Sequence, residues 1–99
     1  MKISEVELKR VKTDRTLVAF ASCVLKGEFN IKLSSIAIHY NGIRYWITFP
    51  KIKTPQGELF YSYHPMDNMT LKAIEDAVIE KYEKEIMIWG EEGIKHLHS

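Results

Sequence analysis

One cysteine, three prolines and no long apolar run mark this chain of 99 residues, and each scarcity excludes a class of protein. A lone thiol cannot form an intramolecular disulfide, so a stapled secreted scaffold is excluded. Cys23 lies inside the run LVAFASCVL, where a small buried hydrophobe is the simplest reading. No window approaches the roughly 18 apolar residues of a membrane helix, and MKISEVELK lacks the apolar centre of a signal peptide. A cytoplasmic protein with no membrane partner is expected. Also missing are a Gly-rich phosphate loop, G-x-S-x-G, HExxH and any Cys/His metal spacing. Neither catalysis, a cofactor, a metal nor a small-molecule substrate is therefore expected, since the H-x-H pair of His96 and His98 offers too few ligands for a site.

Repeats, low-complexity tracts and Pro/Gly/Ser-rich linkers are absent too, which leaves one domain over residues 1–99. With 45 % hydrophobic and 27 % charged residues the composition supports a packed core. A domain this short buries only about 60 to 70 % of its unfolded surface, so a partner subunit would add stability. The whole-chain charge of +1 hides an asymmetry: residues 1–66 carry +5, with ten Lys/Arg against five Asp/Glu, and residues 67–99 carry −4. A basic sheet beside an acidic helix fits that division, and a basic surface attracts polyanions by counterion release. Plain solvated faces fit it equally well.

What is present reads as strands and then a helix. Val6 and Leu8 alternate with Glu5, Glu7 and Lys9 in a strand over residues 2–12, and a second strand covers residues 17–25. Residues 28–40 form a third, in which Phe29, Ile31 and Leu33 share one parity and Ile36 and Ile38 the other. The switch at Ser34 and Ser35 predicts a bulge. Asn41 and Gly42 form a two-residue hairpin turn into a strand over residues 43–49, ended by Pro50. KIKTPQGE is an exposed turn, and residues 59–63 are a short last strand. Leu71, Ile74, Val78, Tyr82, Ile86 and Trp89, three or four apart, define an amphipathic helix over residues 70–89, with Asp67, Asn68 and Thr70 as N-cap candidates. Gly90 is its C′ terminator, followed by a short tail over residues 90–99.

The fold class is therefore α+β: an antiparallel sheet of about five strands over residues 2–63, then one long C-terminal helix. A single helix covers one sheet face, whereas Tyr45, Trp46, Ile47 and Phe49 supply apolar side chains to both. These four are candidates for core or dimer packing; either the last residues, GIKHLHS, fold back over the second face or a second subunit covers it, and because that tail is short and mostly polar a homodimer is expected.

Six landmarks then occur in order: Ala21 with Ser22, Phe29 to Ile31, Asn41 with Gly42 leading to Pro50, the basic turn Lys53 to Gly57, His64 with Pro65, and a terminal helix containing Tyr82. In this order they resemble the stage V sporulation protein G family over roughly residues 1–86. Phe60, Tyr61 and Ser62 replace the family's Arg-Asp pair, and the strand from Ile43 to Phe49 is longer and carries Trp46, so the chain looks like a divergent member. The resemblance implies an antiparallel sheet with a C-terminal helix, a homodimer, and binding to DNA and RNA in bacterial regulation of septation, sporulation or virulence genes.

If nucleic acid is the partner, Lys51 and Lys53 in the exposed turn, Lys72 in the first helical turn and Arg44 on the hairpin are the candidate phosphate contacts. Thr54 and the N–H groups around Gly57 are candidates for additional phosphate hydrogen bonds. Lys9, Arg10 and Lys12 form a second basic cluster, either on the same face or plain surface. Tyr45, Trp46, Tyr61 and Tyr63 are stacking platforms or, more often for such residues, packing. His64 is either a general base or a loop histidine fixing entry to the helix. Glu75, Asp76, Glu80 and Glu83 read as a solvated helix face, with Glu80 supporting Lys84 at i, i+4. The competing functional reading is a protein-interaction module using the aromatic sheet face or the acidic helix.

Overall fold

The computed structural model describes residues 2–98 and, among side chains, those up to Trp89. Six strands precede one helix: β1 (Lys2–Arg10), β2 (Leu17–Lys26), β3 (Ile31–Tyr40), β4 (Tyr45–Thr48), β5 (Lys51–Lys53), β6 (Leu59–Tyr61) and α1 (Asn68–His98). β1 to β4 form an antiparallel sheet in sequence order, and β5 with β6 forms a separate two-stranded ribbon. The α+β order is the one that the patterning predicts, but the single sheet of about five strands is divided. Pro50 lies at the division; it has no N–H to donate and cannot continue the β4 ladder.

One face of the four-stranded sheet packs on α1. β2 contributes Ala19, Ala21 and Cys23, β3 contributes Leu33, Ile36 and Ile38, and Ile47 and Phe49 join them. From the helix come Ile74, Val78 and Tyr82, flanked by Leu71, Ile86 and Trp89, which is the three-and-four spacing visible in the sequence. Ile36, Ile38, Ile74 and Val78 are fully buried, and each such burial contributes about 1.5 to 3 kcal/mol.

The parity switch in β3 is a bulge. Leu33 and Ile36 both face the helix because Ser35 adopts φ +63°, and the register with β2 shifts between Ala21 and Cys23. A second irregularity, with Glu5 at φ +51° and a shift between Ser4 and Glu7 in β1, is a parity switch of the same kind: Ile3 on one parity and Val6 and Leu8 on the other all pack against the core. The β3–β4 connection has four residues rather than two. Asn41 Oδ1 accepts from the N–H groups of Ile43 and Arg44, both at 2.9 Å, and Gly42 sits at φ +92°. That side-chain acceptor stabilises the longer turn, so Ile43 stays outside the strand and Tyr45 opens β4 opposite Tyr40.

Asp67 is the N-cap that the helix uses: its Oδ2 accepts from the Thr70 N–H at 2.9 Å and from the Thr70 hydroxyl at 3.0 Å. At the other end, Gly90 does not terminate α1, which continues to His98. A glycine inside a helix costs only about 1 kcal/mol relative to alanine, too little to stop a long rod by itself. The segment expected as a short tail is therefore helical up to His98; the side chains of His96 and His98 lie outside the described ones. Among the described residues, no helix is long and apolar enough to cross a membrane.

Candidate nucleic-acid interface

α1 covers one face of the sheet and leaves the other open. Strand register identifies the open face, since residues opposite in parity to Ala19, Ala21 and Cys23 must point away from the helix. Lys9, Phe20, Ala37 and Thr48 stand there in one row, each paired with the next across all four strands. Ser4, Val24 and Lys32 form a second row, and Lys2 faces Lys26 in a third. His39 opposes Trp46, their rings stacked at 5.3 Å between centroids. The Arg44 guanidinium lies over the Trp46 ring at 5.4 Å.

β5 adds Lys51, which borders the same face beside Thr48 and His39. Its ammonium rests over the Tyr61 ring at 4.9 Å. Lys53 is on the same side of the ribbon as Lys51, two residues on and opposite Leu59. The ribbon is anchored to the sheet in three ways: Ser62 N–H donates to the Pro50 carbonyl at 2.8 Å, the Tyr63 hydroxyl donates to the Ser34 carbonyl at 2.6 Å, and Phe49 packs edge-on against Tyr63. Burial, with Cys23 nearby, pushes the Tyr63 phenol up to about 12, so it remains a donor at neutral pH.

The open face is electrostatically one-sided. Lys2, Lys9, Lys26, Lys32, Arg44 and Lys51 are all exposed, and Glu7 is the carboxylate that the register of the paired strands places among them. Among the described residues every ion pair lies on α1: Lys72 with Asp76, Lys81 with Glu85 and Lys84 with Glu80. None of the six cations on the open face is neutralised in this way. They are available to phosphate.

The sequence-predicted contacts divide accordingly. Arg44 and Lys51 come to this face and Lys53 extends it along the ribbon. Lys72 does not, because it stands on the helix of the opposite layer with its ammonium 2.7 Å from Asp76. Lys51 and Lys53 belong to a paired ribbon rather than a loose turn. Thr54 works as a turn former: its hydroxyl accepts from the Glu58 N–H at 3.1 Å, and its carbonyl accepts from the Gly57 N–H at 2.9 Å, so those two N–H groups are already satisfied. In the second basic cluster, Lys9 is on the open face, whereas Arg10 turns to the helix side and lies 5.0 Å over Trp89.

The aromatic strand also divides. Ile47 and Phe49 are core residues, Tyr45 packs edge-on against Tyr82, and Trp46 alone of the four faces away from the helix. His64 donates through Nδ1 to the Pro65 carbonyl at 2.8 Å and packs against Phe49 and Tyr61, as a histidine shaping the approach to the helix does. Sequence reasoning missed Phe20, His39 and Thr48, and with them Lys2, Lys26 and Lys32. The alternation through β2 and β3 was the available signal, but the bulge at Ser35 shifts the β2–β3 register, so counting back from the turn does not by itself pair Phe20 with Ala37.

A family model described as SpoVG matches residues 1–84. The chain belongs to the SpoVG family. A septation protein SpoVG from Bacillus subtilis strain 168 is 33 % identical over 84 residues, covering 85 % of this chain and 84 % of that protein. The corresponding protein of Oceanobacillus iheyensis is 32 % identical with 85 % of each chain covered. One named SpoVG 1 from Listeria monocytogenes serotype 4b is 34 % identical over 83 residues, covering 84 % of this chain and 79 % of its own. The SpoVG match contains all six strands, hence the whole open face, and ends within α1. The departures at Phe60, Tyr61 and Ser62 fall on β6 and its exit, where they build the ribbon: Phe60 faces Ile52, Tyr61 underlies Lys51 and Ser62 bonds Pro50.

Proposed function

We propose that this protein is a cytoplasmic, homodimeric nucleic-acid-binding regulator, acting on DNA, RNA or both in septation- or sporulation-type gene control, and is not an enzyme. The observation that carries the reading is the set of exposed cations on the uncovered face that form no ion pair among the described residues. The septation role comes from the names of the relatives. Lysines that bind phosphate displace condensed counterions, so affinity falls steeply with salt.

Support for the homodimer comes from the ribbon. Ile52 and Phe60 oppose each other across β5 and β6, yet they are 58 % and 55 % exposed. A two-stranded ribbon is marginal alone, and a second subunit over that apolar side would stabilise it. The proposed subunit contact is the ribbon rather than the open sheet face, a choice supported by Tyr45, Ile47 and Phe49 packing on the helix side.

Two measurements test this. Labelled DNA and RNA titrated across salt should bind at low salt and lose affinity as salt rises; no binding at low salt, or binding indifferent to salt, rejects the reading. Light scattering should give twice 11.6 kDa, and a monomer mass rejects the homodimer. Charge reversal at Lys51 and Lys53 separates this reading from a protein-interaction module, since it should abolish nucleic-acid binding and leave a helix-mediated partner in place.

A further inference from the structure

Phe20 is a large ring on the solvent side of a central strand, 37 % exposed, and no ring–ring contact among the described residues engages it. It rises between two hollows. One, of about 320 Å³, is bordered by Glu7, Lys9, Ser22 and Ser35. The other, of about 480 Å³, is bordered by Ser35, Ala37, His39, Thr48 and Lys51. Both exist because the floor is built from small residues and because the backbone bulges at Ser35. Lys9 lines the first and Lys51 the second.

We propose that this face holds a single-stranded nucleic-acid segment laid across the strands, with one base stacked on Phe20, its neighbour in the hollow beside His39 and Thr48, and flanking phosphates on Lys9 and Lys51. The inference rests on the nucleic-acid reading above and narrows it to unpaired substrate. A duplex hides the faces of its bases and would meet only the lysines, leaving the Phe20 ring and the Thr48 hydroxyl without a role. A single strand presents both base faces and Watson–Crick edges, which aromatic rings and hydroxyl or imidazole groups on a sheet can bind. His39 Nε2 and Thr48 Oγ1 are already 3.0 Å apart, so the Thr48 hydroxyl is oriented, and it is exposed. A second copy of the chain is the wrong occupant on charge: an isologous contact through this face would set a field of lysines against itself.

The test uses the full chain and two fluorescently labelled oligonucleotides of one sequence, single-stranded and duplex, measured by anisotropy across salt. The single strand should bind more tightly. Phe20→Ala should weaken it by roughly 5- to 150-fold, the range for loss of one stacked base, with little change for the duplex, while Phe20→Tyr retains binding. Phe20→Leu, which keeps the apolar volume without the ring, carries the same expectation if the alanine variant loses its far-UV signature. Lys9→Gln with Lys51→Gln should lower the salt slope by roughly 0.7 per lost contact. Single-strand affinity within about twofold of wild type for folded Phe20→Ala or Phe20→Leu overturns the inference while leaving nucleic-acid binding intact. Failure of both oligonucleotides to bind at low salt overturns both readings. Conversion of the dimer to monomer by Phe20→Ala identifies the face as a subunit contact and also overturns the inference.

Discussion

His39 and Trp46 face each other across β3 and β4 with their ring planes 10° apart. The stack is fixed on its histidine side, where Nδ1 meets the Thr16 hydroxyl at 2.9 Å and Nε2 the Thr48 hydroxyl at 3.0 Å. Both ring nitrogens are satisfied without a charged partner, and burial lowers the His39 pKa below its ordinary value. The ring is therefore held neutral at pH 7. An unfolded histidine titrates near 6.5, so below that pH the unfolded chain takes up more protons than the folded one. The stability that His39 contributes is complete above about pH 6.5 and is lost as pH falls through its lower folded value. Chemical denaturation at pH 7.5 and pH 5.5 should show a smaller acid loss for His39→Gln than for wild type; equal losses contradict this account.

Core truncation separates buried from merely apolar positions. Ile36 is fully buried between the sheet and α1, whereas Ile43 is 88 % exposed in the β3–β4 turn. Ile36→Ala should lower unfolding free energy by about 2 to 5 kcal/mol and Ile43→Ala by about 0.5 or less, as read by urea denaturation.

The helix N-cap supplies a third test. Hydrogen bonds from the Thr70 backbone and then its hydroxyl hold the Asp67 carboxyl below its usual range. A depressed carboxyl stabilises the fold above its unfolded value, near 3.9, and that contribution disappears as pH falls through the folded value. Asp67→Ala should lower Tm by roughly 5 °C at pH 7, while Asp67→Asn, an equally good cap, should lower it little and remove that part of the acid dependence.

Lysines of similar exposure should behave differently toward nucleic acid. Lys51→Gln should reduce both affinity and salt slope, because Lys51 borders the open face. Lys72→Gln should change neither, because Lys72 lies on the opposite layer and its ammonium is held by Asp76. Equal losses in the two variants would place the interface on the helix.

Much of this fold was legible because local patterns and tertiary packing agree. The spacing from Leu71 to Trp89 is the buried stripe of α1, and the parity switch at Ser34 and Ser35 is the β3 bulge. Features decided by a single side-chain bond or by chain direction were not legible. The Asn41 side-chain oxygen, accepting from the Ile43 and Arg44 N–H groups, lengthens the hairpin turn, and α1 runs through Gly90. The candidate site was half visible: Arg44, Lys51 and Lys53 could be named from local basic segments. The row from Lys9 through Phe20 and Ala37 to Thr48 joins four strands, and a register shift between Ala21 and Cys23 intervenes before Phe20 can be aligned with Ala37. No sequence window contains it.

The most direct test of the open face as the nucleic-acid interface is an amide and indole NMR titration of the full chain with a single-stranded oligonucleotide at low salt. Shifts should concentrate at Lys9, Phe20, Ala37, His39, Thr48, Lys51 and the Trp46 indole, with α1 around Lys72 unchanged. Shifts confined to α1, with the Phe20 row silent, would contradict the account.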